Sequence, residues 1–305
     1  MDSIHRITKN FSWLFVAQIF ALFTGLIQTV ILTRYLGNSE YGKYGIALSI
    51  AIILLPLIDG GLSTLTIREV SRKHDLAAKY LDNIMVIRTC YTVITASVML
   101  LLVHLGQYPA DRVMAIYFLV GMTVLSNFTQ LFKSIFRAKE AMEYEAALSI
   151  IRSTTSLLTA GIIVWMQHGL IYFTFLQMLT ELFVLIIAAA ICKAKFVAPG
   201  IQFDFAFWKE TIVKGIPFLL SFAIGCLYFR IDILILAIYC SSGTVGVYTA
   251  ITNLQVYLFV FGDIFISALY PAMARFFVSS KDNLNFLIEK AVKIFIMVGM
   301  PIAMR

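Results

Sequence analysis

Long apolar segments separated by short polar connections dominate the chain. Eight segments, labelled M1 to M8, are complete, and a ninth, M9, begins near Phe286. In chain order, the complete segments span Asn10–Thr33, Tyr44–Thr66, Asp82–His104, Val113–Phe136, Ala146–Gln167, Gly169–Ile191, Thr211–Tyr239 and Val245–Tyr270. Each is long enough for a helix to cross about 30 Å of hydrocarbon. Because backbone groups in lipid need internal hydrogen bonds, and the alternation of barrel strands is absent, we predict membrane-spanning helices.

The composition excludes an ordinary soluble protein. Hydrophobic residues make up 60% of the 305 residues, charged residues only 13%, and the mean hydropathy is +0.89. Soluble domains contain about 25% charged residues. The surplus of apolar residues therefore supports a polytopic membrane protein.

Motifs of enzymes and metal sites are absent from the sequence. It contains no P-loop, no GxGxxG, no HExxH and no CxxC, and its four histidines are far apart. The cysteines lie in or beside apolar segments and are interpreted as small hydrophobic residues: Cys90, Cys192, Cys226 and Cys240. We therefore expect no enzyme activity, no bound metal and no cofactor, while coupling to H⁺ or Na⁺ stays open.

Lysine and arginine residues predict the orientation of the segments. They cluster at the N-terminus and in the connections after M2, M4, M6 and M8, whereas the other connections contain only Arg34, Lys43 and Arg112. Basic connections remain on the cytoplasmic side. We predict a multi-pass protein of the inner (cytoplasmic) membrane with a cytoplasmic N-terminus. The net charge of +7 reflects this topology rather than nucleic-acid binding, because the basic residues are spread over separate connections.

A weak internal repeat appears at an offset of 204 residues. Identical residues recur at Gly42/Gly246, Tyr44/Tyr248, Asp59/Asp263, Ser63/Ser267 and Leu65/Leu269. Because matching positions are six segments apart, the two repeats have the same orientation. We predict an all-α architecture of two parallel six-helix lobes, with residues 1–192 as the N-terminal lobe and residues 193–305 as the start of the C-terminal lobe. Two full lobes need twelve helices, so a truncated second lobe is expected.

Several charged residues interrupt the apolar segments. A charge at the bilayer centre costs about 2.5–3.5 kcal/mol on insertion scales, so intramembrane charges are candidate functional residues. The candidates for a transport path are Arg88, Arg152, Arg230, Asp232, Glu181, Asp59 and Asp263.

Three of these charges have a simple structural alternative. Arg88 and Arg152 lie close enough to the predicted cytoplasmic interface for their side chains to snorkel towards it. Asp59 directly precedes a pair of glycines and could instead order a helix kink or end. The sequence leaves both alternatives open.

Arg230 and Asp232 are harder to explain as structural residues. Residues two apart on a helix do not face each other, so the two cannot neutralise each other on a regular helix. At least one therefore faces a cavity or a charge on another helix, and Glu181 is a candidate partner for Arg230. A transport-path role and a buried interhelical salt bridge both stay open.

Glycines and prolines interrupt M2 and M7. The candidate hinges are Pro56, Gly60, Gly61, Gly215, Pro217 and Gly225. Such breaks act as hinges or open the backbone to a cavity, and ordinary kinks are the alternative. Polar residues on M1, among them Gln18 and Gln28, indicate either an aqueous path or interhelical hydrogen bonds.

Two stretches carry a resemblance to a known family. The opening Lys9-Asn-Phe-Ser-Trp-Leu-Phe is followed by Leu32-Thr-Arg-Tyr-Leu-Gly-Asn-Ser-Glu-Tyr-Gly-Lys-Tyr-Gly, and Arg230-Ile-Asp-Ile-Leu-Ile-Leu by Gly246-Val-Tyr-Thr-Ala. Both resemble the polysaccharide-transporter family of oligosaccharide flippases, the Wzx-type O-antigen and teichuronic-acid exporters of the MATE-like (MOP) superfamily. By position, Arg230 and Asp232 match the family's motif on its seventh helix.

The resemblance implies two lobes around a central cavity that work by alternating access. It implies transport of an undecaprenyl-diphosphate-linked oligosaccharide, such as the O-antigen unit of lipopolysaccharide, from the cytoplasmic to the outer leaflet. The implied partners are this substrate, membrane lipids and polysaccharide polymerase machinery. A cation-coupled exporter of the multidrug type and a non-transporting truncated chain are the alternatives.

Overall fold

The structure is a computed structural model of the chain. It describes residues 2–105, 110–200 and 202–257, and, of the segment after residue 284, residues 285–286, 288–290, 292–293 and 296–297. Regular structure in these residues is helical, without strands. The prediction of an all-α fold is therefore confirmed. Asp263, the remaining part of M8 and the end of M9 lie outside the described residues.

The predicted M1 and M2 form one long helix with a sharp bend. Helix α1, Asp2–Asp59, contains Gly37 with φ 72° and ψ 171°, and two helical arms, 2–36 and 38–59, meet there. A positive φ is strained for most residues but costs glycine little. Gly37 thus provides the turn between M1 and M2.

The chain breaks again at a pair of glycines. Gly60 and Gly61 have φ values of 64° and 72°, and helix α2, Leu62–Arg72, starts directly after them. The predicted end of M2 at Thr66 is therefore wrong: the long helix stops at Asp59, because two consecutive left-handed residues cannot continue a right-handed helix.

Six further helices follow in the described residues up to residue 257. A 3-10 turn at His74–Leu76 leads into α3, Ala77–Leu105. It is followed by α4, Ala110–Ala138; α5, Met142–Met166; α6, Leu170–Lys195; and α7, Phe205–Tyr239. Helix α8 covers residues 242–257. These helices occupy the places predicted for M3 to M7 and for the start of M8.

Apolar residues from several helices form the main buried core. Its members include Leu65 of α2, Ile84 of α3, Phe136 of α4 and Val184 of α6, all fully or almost fully buried. The outward faces of α5 to α7 instead expose large apolar residues, such as Leu158, Phe183 and Ile224. An apolar exterior around a packed core is the arrangement expected in lipid.

Among the described residues, five helical stretches are long and apolar enough to cross a membrane: Ser12–Asp59, Val113–Ala138, Met142–Met166, Leu170–Lys195 and Phe205–Tyr239. The first contains the bend at Gly37 and thus two arms. The chain is a multi-pass membrane protein. It divides into compact units at residues 1–255 and 256–305, and the predicted boundary between lobes at residue 192 stays a prediction.

Candidate transport site

A polar stripe runs along one face of α5. Glu145, Ser149, Arg152, Ser156 and Thr159 follow one another at intervals of four and three residues. This spacing places them above one another on a helix. The three hydroxyl residues are not among the candidates from the sequence, although their spacing on a membrane helix was a usable signal.

The centre of the stripe is an ion pair between Arg152 and Glu181. Arg152 Nε donates a hydrogen bond to Oε1 of Glu181 on α6. The Glu181 side chain is 3% exposed, whereas the Arg152 side chain is 47% exposed. Glu181 is therefore paired with Arg152, and its suggested pairing with Arg230 is wrong because the packing of α5 on α6 places Arg152 nearer.

The two ends of this pair differ in how they are satisfied. Within the described residues, Arg152 Nη1 and Nη2 donate no hydrogen bond, and Glu181 Oε2 is buried without a partner. A guanidinium group has five N–H donors, and Glu181 takes up one of them. The open side of Arg152 can therefore bind an anion while Glu181 holds its other side.

Amide and hydroxyl groups extend the stripe beyond the ion pair. Ser156 Oγ lies 3.1 Å from Oε1 of Gln28 on α1 and 2.9 Å from Oε1 of Gln177 on α6. Gln177 Nε2 donates to Thr159 Oγ1 at 2.8 Å. The sequence offers two explanations for the polar residues of M1, an aqueous path or interhelical hydrogen bonds. Gln28 makes an interhelical hydrogen bond, whereas the side chain of Gln18 is exposed.

Basic residues of α4 line the stripe on the side towards the start of α5. Lys133 Nζ lies 3.1 Å from Ser149 Oγ. Arg137 binds Glu145 with two hydrogen bonds of 2.6 and 2.5 Å. With its partners on α1, α4 and α6, the stripe thus brings together three cations (Lys133, Arg137 and Arg152) and two carboxylates (Glu145 and Glu181).

A second arginine–carboxylate pair is completely buried. Arg88 of α3 is 0% exposed, and its Nη2 donates to Asp59 Oδ1 and Ser63 Oγ, each at 2.6 Å. Its Nη1 donates to the carbonyl oxygen of Asn127 on α4. Snorkelling, one of the alternatives for Arg88, is therefore excluded, because this side chain joins four helices within the protein.

Asp59 orders the break between α1 and α2. Its Oδ1 accepts a hydrogen bond of 2.5 Å from Ser63 Oγ, and its Oδ2 lies 3.5 Å from Ser63 N, across the two glycines. This geometry matches the structural alternative for Asp59. Arg88 is fully buried and its Nη1 and Nη2 donate to protein acceptors, so it has no accessible donor side comparable to that of Arg152.

Arg230 and Asp232 contact different residues of α8. Arg230 Nη1 lies 3.3 Å from Asn253 Oδ1, and Asp232 Oδ2 accepts a 2.6 Å hydrogen bond from Tyr248 Oη. Asn253 Nδ2 also lies 3.1 Å from Oη of Tyr41 on α1. The two charges therefore do not pair with each other, and Arg230 is linked through Asn253 to the second arm of α1.

Three of the hinge candidates meet at one place. A Cβ on Gly61 would overlap the carbonyl oxygen of Gly215. A Cβ on Gly215 would lie 2.8 Å from the carbonyl oxygen of Gly60. Pro56 and Pro217 lie inside α1 and α7. Gly225 has no neighbour within 4 Å of a Cβ, so close packing does not require glycine there.

The start of α7 is tied to α3 beside this glycine contact. Asn83 Oδ1 accepts hydrogen bonds from Trp208 Nε1 at 2.8 Å and from the Asp204 amide at 3.1 Å. Lys79 Nζ lies 2.8 Å from Asp204 Oδ2, and hydrogen bonding to Lys79 lowers the pKa of Asp204. We call Lys79, Asn83, Asp204 and Trp208 the α3–α7 junction. The sequence carried no motif for it.

Comparisons with known proteins agree with this architecture. A profile of the family described as polysaccharide biosynthesis protein matches residues 7–277. No curated protein sequence matches the chain significantly. The fold resembles the MATE multidrug transporter DinF-BH in complex with R6G, at 14% identity and a TM-score of 0.66, covering 96% of this chain and 71% of that one.

Two further solved structures are similar. One is a MOP superfamily transporter from Pyrococcus furiosus with a binding pocket of reverse polarity, at 14% identity and a TM-score of 0.58, covering 96% of this chain and 72% of that one. The other is an outward-facing multidrug resistance MATE family transporter, at 15% identity and a TM-score of 0.58, covering 96% and 70%. At these identities the likeness shows the fold, which is MATE-like.

Proposed function

Because the chain belongs to the polysaccharide biosynthesis protein family, we propose that it moves a lipid-linked oligosaccharide diphosphate across the membrane by alternating access, with Arg152 binding the diphosphate. The observation that carries this proposal is the open guanidinium group of Arg152, held from behind by the buried Glu181. The substrate class proposed is a polyprenyl diphosphate that carries a surface polysaccharide unit.

The position of Arg152 supports this role. At 1.5 Å per residue, it lies about 15 Å from the start of α5 and about 21 Å from its end, so it is near the middle of a helix long enough to cross a membrane. A cation exposed to hydrocarbon at that depth is costly, so its open side is expected to face a polar path. An anion that reaches this path gains a charge-assisted hydrogen bond from Arg152.

The surroundings of Arg152 fit a phosphate with an attached sugar. Lys133 supplies a second cation on the same stripe, and Glu181 prevents a large net positive charge. Ser156 and Gln177 supply the hydroxyl and amide groups that commonly bind sugar hydroxyls. Coupling to H⁺ or Na⁺, contact with polymerase machinery, and a location in the inner membrane stay predictions.

The test is a flipping assay with reconstituted chain. The probe is a fluorescent polyprenyl-diphosphate oligosaccharide in vesicles of phosphatidylcholine and phosphatidylglycerol, and flipping is measured by bleaching with a membrane-impermeant reductant. We expect the wild-type chain to accelerate flipping and Arg152→Gln to reduce the rate at least about tenfold, because a lost charge-assisted hydrogen bond costs about 1.5–3 kcal/mol.

The matched control is Arg72→Gln, which removes the same charge at an exposed position of α2. It should flip at the wild-type rate. Because Arg152→Gln leaves the buried Glu181 without its cation, the rates are compared at equal amounts of monodisperse protein. A wild-type chain that does not accelerate flipping, or an Arg152→Gln variant that flips normally, would show the proposal to be wrong. Transport of an organic cation dye instead of the diphosphate would favour the multidrug alternative.

A further inference from the structure

Two glycines allow the second arm of α1 to touch α8 backbone to backbone. A Cβ on Gly42 would overlap the carbonyl oxygen of Ser242 and lie 2.9 Å from the amide nitrogen of Gly246. A Cβ on Gly246 would overlap the carbonyl oxygen of Asn38 and lie 2.9 Å from the amide nitrogen of Gly42. Neither position has room for a side chain. We call this contact the glycine crossing.

The crossing has a local two-fold symmetry. Gly42 meets the 242–246 turn of α8 in the same way as Gly246 meets the 38–42 turn of α1. Both pairs of positions are separated by the repeat offset of 204 residues. A third pair at this offset is also in contact, since a Cβ on Gly45 would lie 3.0 Å from Thr249 Cβ. Repeat-equivalent segments therefore pack against each other here.

The crossing lies at one end of the helices. Residues 38–45 open the second arm of α1, and residues 242–249 open α8. Both stretches follow connections predicted to be non-cytoplasmic. The α3–α7 junction and the Gly61–Gly215 contact lie near the opposite, predicted cytoplasmic end. The two repeats thus meet at the non-cytoplasmic end through their own equivalent turns.

We propose that the glycine crossing is the gate that closes the transport path at the non-cytoplasmic face. Small residues let helix backbones approach closely, and such a contact separates without withdrawing an interlocked side chain. Its symmetry means that one relative movement of the repeats opens both halves of the contact together. The proposal rests on the transport function proposed above, but its structural test is independent of the substrate.

The crossing is also connected to the intramembrane charge of α7. Asn253, on the same helix as Gly246, contacts Tyr41 Oη at 3.1 Å and Arg230 Nη1 at 3.3 Å. Tyr41 directly precedes Gly42 in the chain. Separation of the crossing would pull Asn253 away from Tyr41 while leaving it beside Arg230. This assigns Arg230 and Asn253 a positioning role at the gate.

The first experiment measures access to the polar stripe from outside. A reporter, Ser156→Cys, is placed in a cysteine-free background with Cys90→Ala, Cys192→Ala, Cys226→Ala and Cys240→Ala. Labelling by a membrane-impermeant maleimide is followed in vesicles whose non-cytoplasmic face is outward. We expect Gly42→Val or Gly246→Val to increase the labelling rate at least about fivefold, because a side chain at either position forces the helices apart.

The matched control is Gly161→Val, which adds the same side chain where nothing lies within 4 Å of a Cβ. It should leave labelling of the reporter unchanged. Equal labelling rates in Gly42→Val and Gly161→Val would overturn the gate.

The second experiment locks the crossing instead of opening it. Gly45→Cys and Thr249→Cys are combined in the cysteine-free background. Their Cβ atoms would be 3.0 Å apart, so a separation of roughly 0.5 Å brings them into the range of about 3.5–4.5 Å that a disulfide needs. Oxidation should reduce reporter labelling to background, and reduction should restore it. Reporter labelling that is unchanged in the cross-linked chain would identify the crossing as a fixed pivot and overturn the gate.

The outcomes separate the gate from the transported substrate. If labelling responds to Gly42→Val and to the cross-link but the wild-type chain does not flip the diphosphate probe, the gate is supported and the proposed function is wrong. If the wild-type chain flips the probe but neither variant alters labelling, the proposed function is supported and the gate is wrong.

Discussion

Two arginine–carboxylate pairs of the same chemistry have opposite surroundings in this protein. Arg88 is 0% exposed and joins Asp59, Ser63 and the Asn127 backbone, whereas Arg152 is 47% exposed and is held by one carboxylate. Both partners lie 29 residues away in the chain. The comparison teaches that a charge within the membrane becomes a candidate site only where packing leaves some of its donors open.

The difference follows from the cost of burying charge. A buried pair needs several well-placed hydrogen bonds to offset its lost hydration, and Arg88 has them on α1, α2 and α4. Arg152 keeps part of its side chain accessible, whereas the unpartnered atoms of the two pairs, Arg88 Nε and Glu181 Oε2, are both buried. We therefore expect Arg88 to contribute to stability, and Arg152 is the residue proposed for binding.

The largest expected effect is on folding, from Arg88→Ala. It leaves Asp59 buried without its cation, and breaking a buried pair in this way costs about 3–5 kcal/mol. We expect little folded protein, measured as the monodisperse fraction after solubilisation and as the unfolding temperature. The double variant Arg88→Leu with Asp59→Leu should recover part of the loss. An unfolding temperature of Arg88→Ala equal to that of wild type would contradict the structural role.

The next largest effect is on transport, from exchanging the charges of the second pair. Arg152→Glu combined with Glu181→Arg keeps an ion pair between α5 and α6 but places a carboxylate on the open side. We expect folding close to wild type and flipping reduced at least about tenfold, since an anionic substrate meets a negative charge. Recovery of wild-type flipping in the exchanged variant would show that the pair is only structural.

A smaller effect is expected from Ser156→Ala. The change removes the hydroxyl between Gln28 and Gln177, and such a hydrogen bond contributes about 0.5–1.5 kcal/mol. Affinity for the diphosphate probe should fall by a few-fold, measured by titration in nanodiscs. Thr154→Ala on the exposed face of α5 is the matched control and should bind like wild type. Equal affinities of both variants would restrict the binding site to the ion pair.

The smallest effect concerns acid stability of the α3–α7 junction. Because Lys79 lowers the pKa of Asp204, the folded chain favours the charged carboxylate. Its contribution is present above the ordinary pKa of 3.8 and is lost as the pH falls below that value through the folded pKa. Asp204→Asn should therefore show a slightly smaller drop in unfolding temperature between pH 5 and pH 3 than wild type. The same drop in both proteins would contradict this contribution.

Much of the fold could be predicted because the length of an apolar segment and the positions of turn-forming residues can be read from neighbouring residues in the sequence. The helices of M3 to M7 lie where hydropathy placed them, and glycine at position 37 is sufficient for the bend. The repeat offset also anticipated that Gly42 and Gly246 are equivalent, although not that they touch. The end of M2 was misplaced because hydropathy continues across Gly60 and Gly61, where the backbone conformation changes.

The pairing of charges could not be predicted in the same way. Which arginine meets Glu181 depends on which helices are neighbours and on their rotation, and neither is contained in spacing along one segment. The sequence therefore suggests Glu181 as a candidate partner for Arg230, whereas the structure pairs Glu181 with Arg152. The exposure of Arg152 and the burial of Arg88 also depend on helix packing. From the sequence alone, both arginines therefore have the same two alternatives, a transport path or snorkelling.

The most direct test of the central claim is binding of a polyprenyl diphosphate to the chain in phosphatidylcholine nanodiscs. We predict that Arg152→Gln weakens binding at least about tenfold, while Arg72→Gln binds like wild type, because Arg152 presents open donors in the membrane. Equal affinities of wild type and Arg152→Gln would show that the diphosphate does not bind at the α5–α6 ion pair.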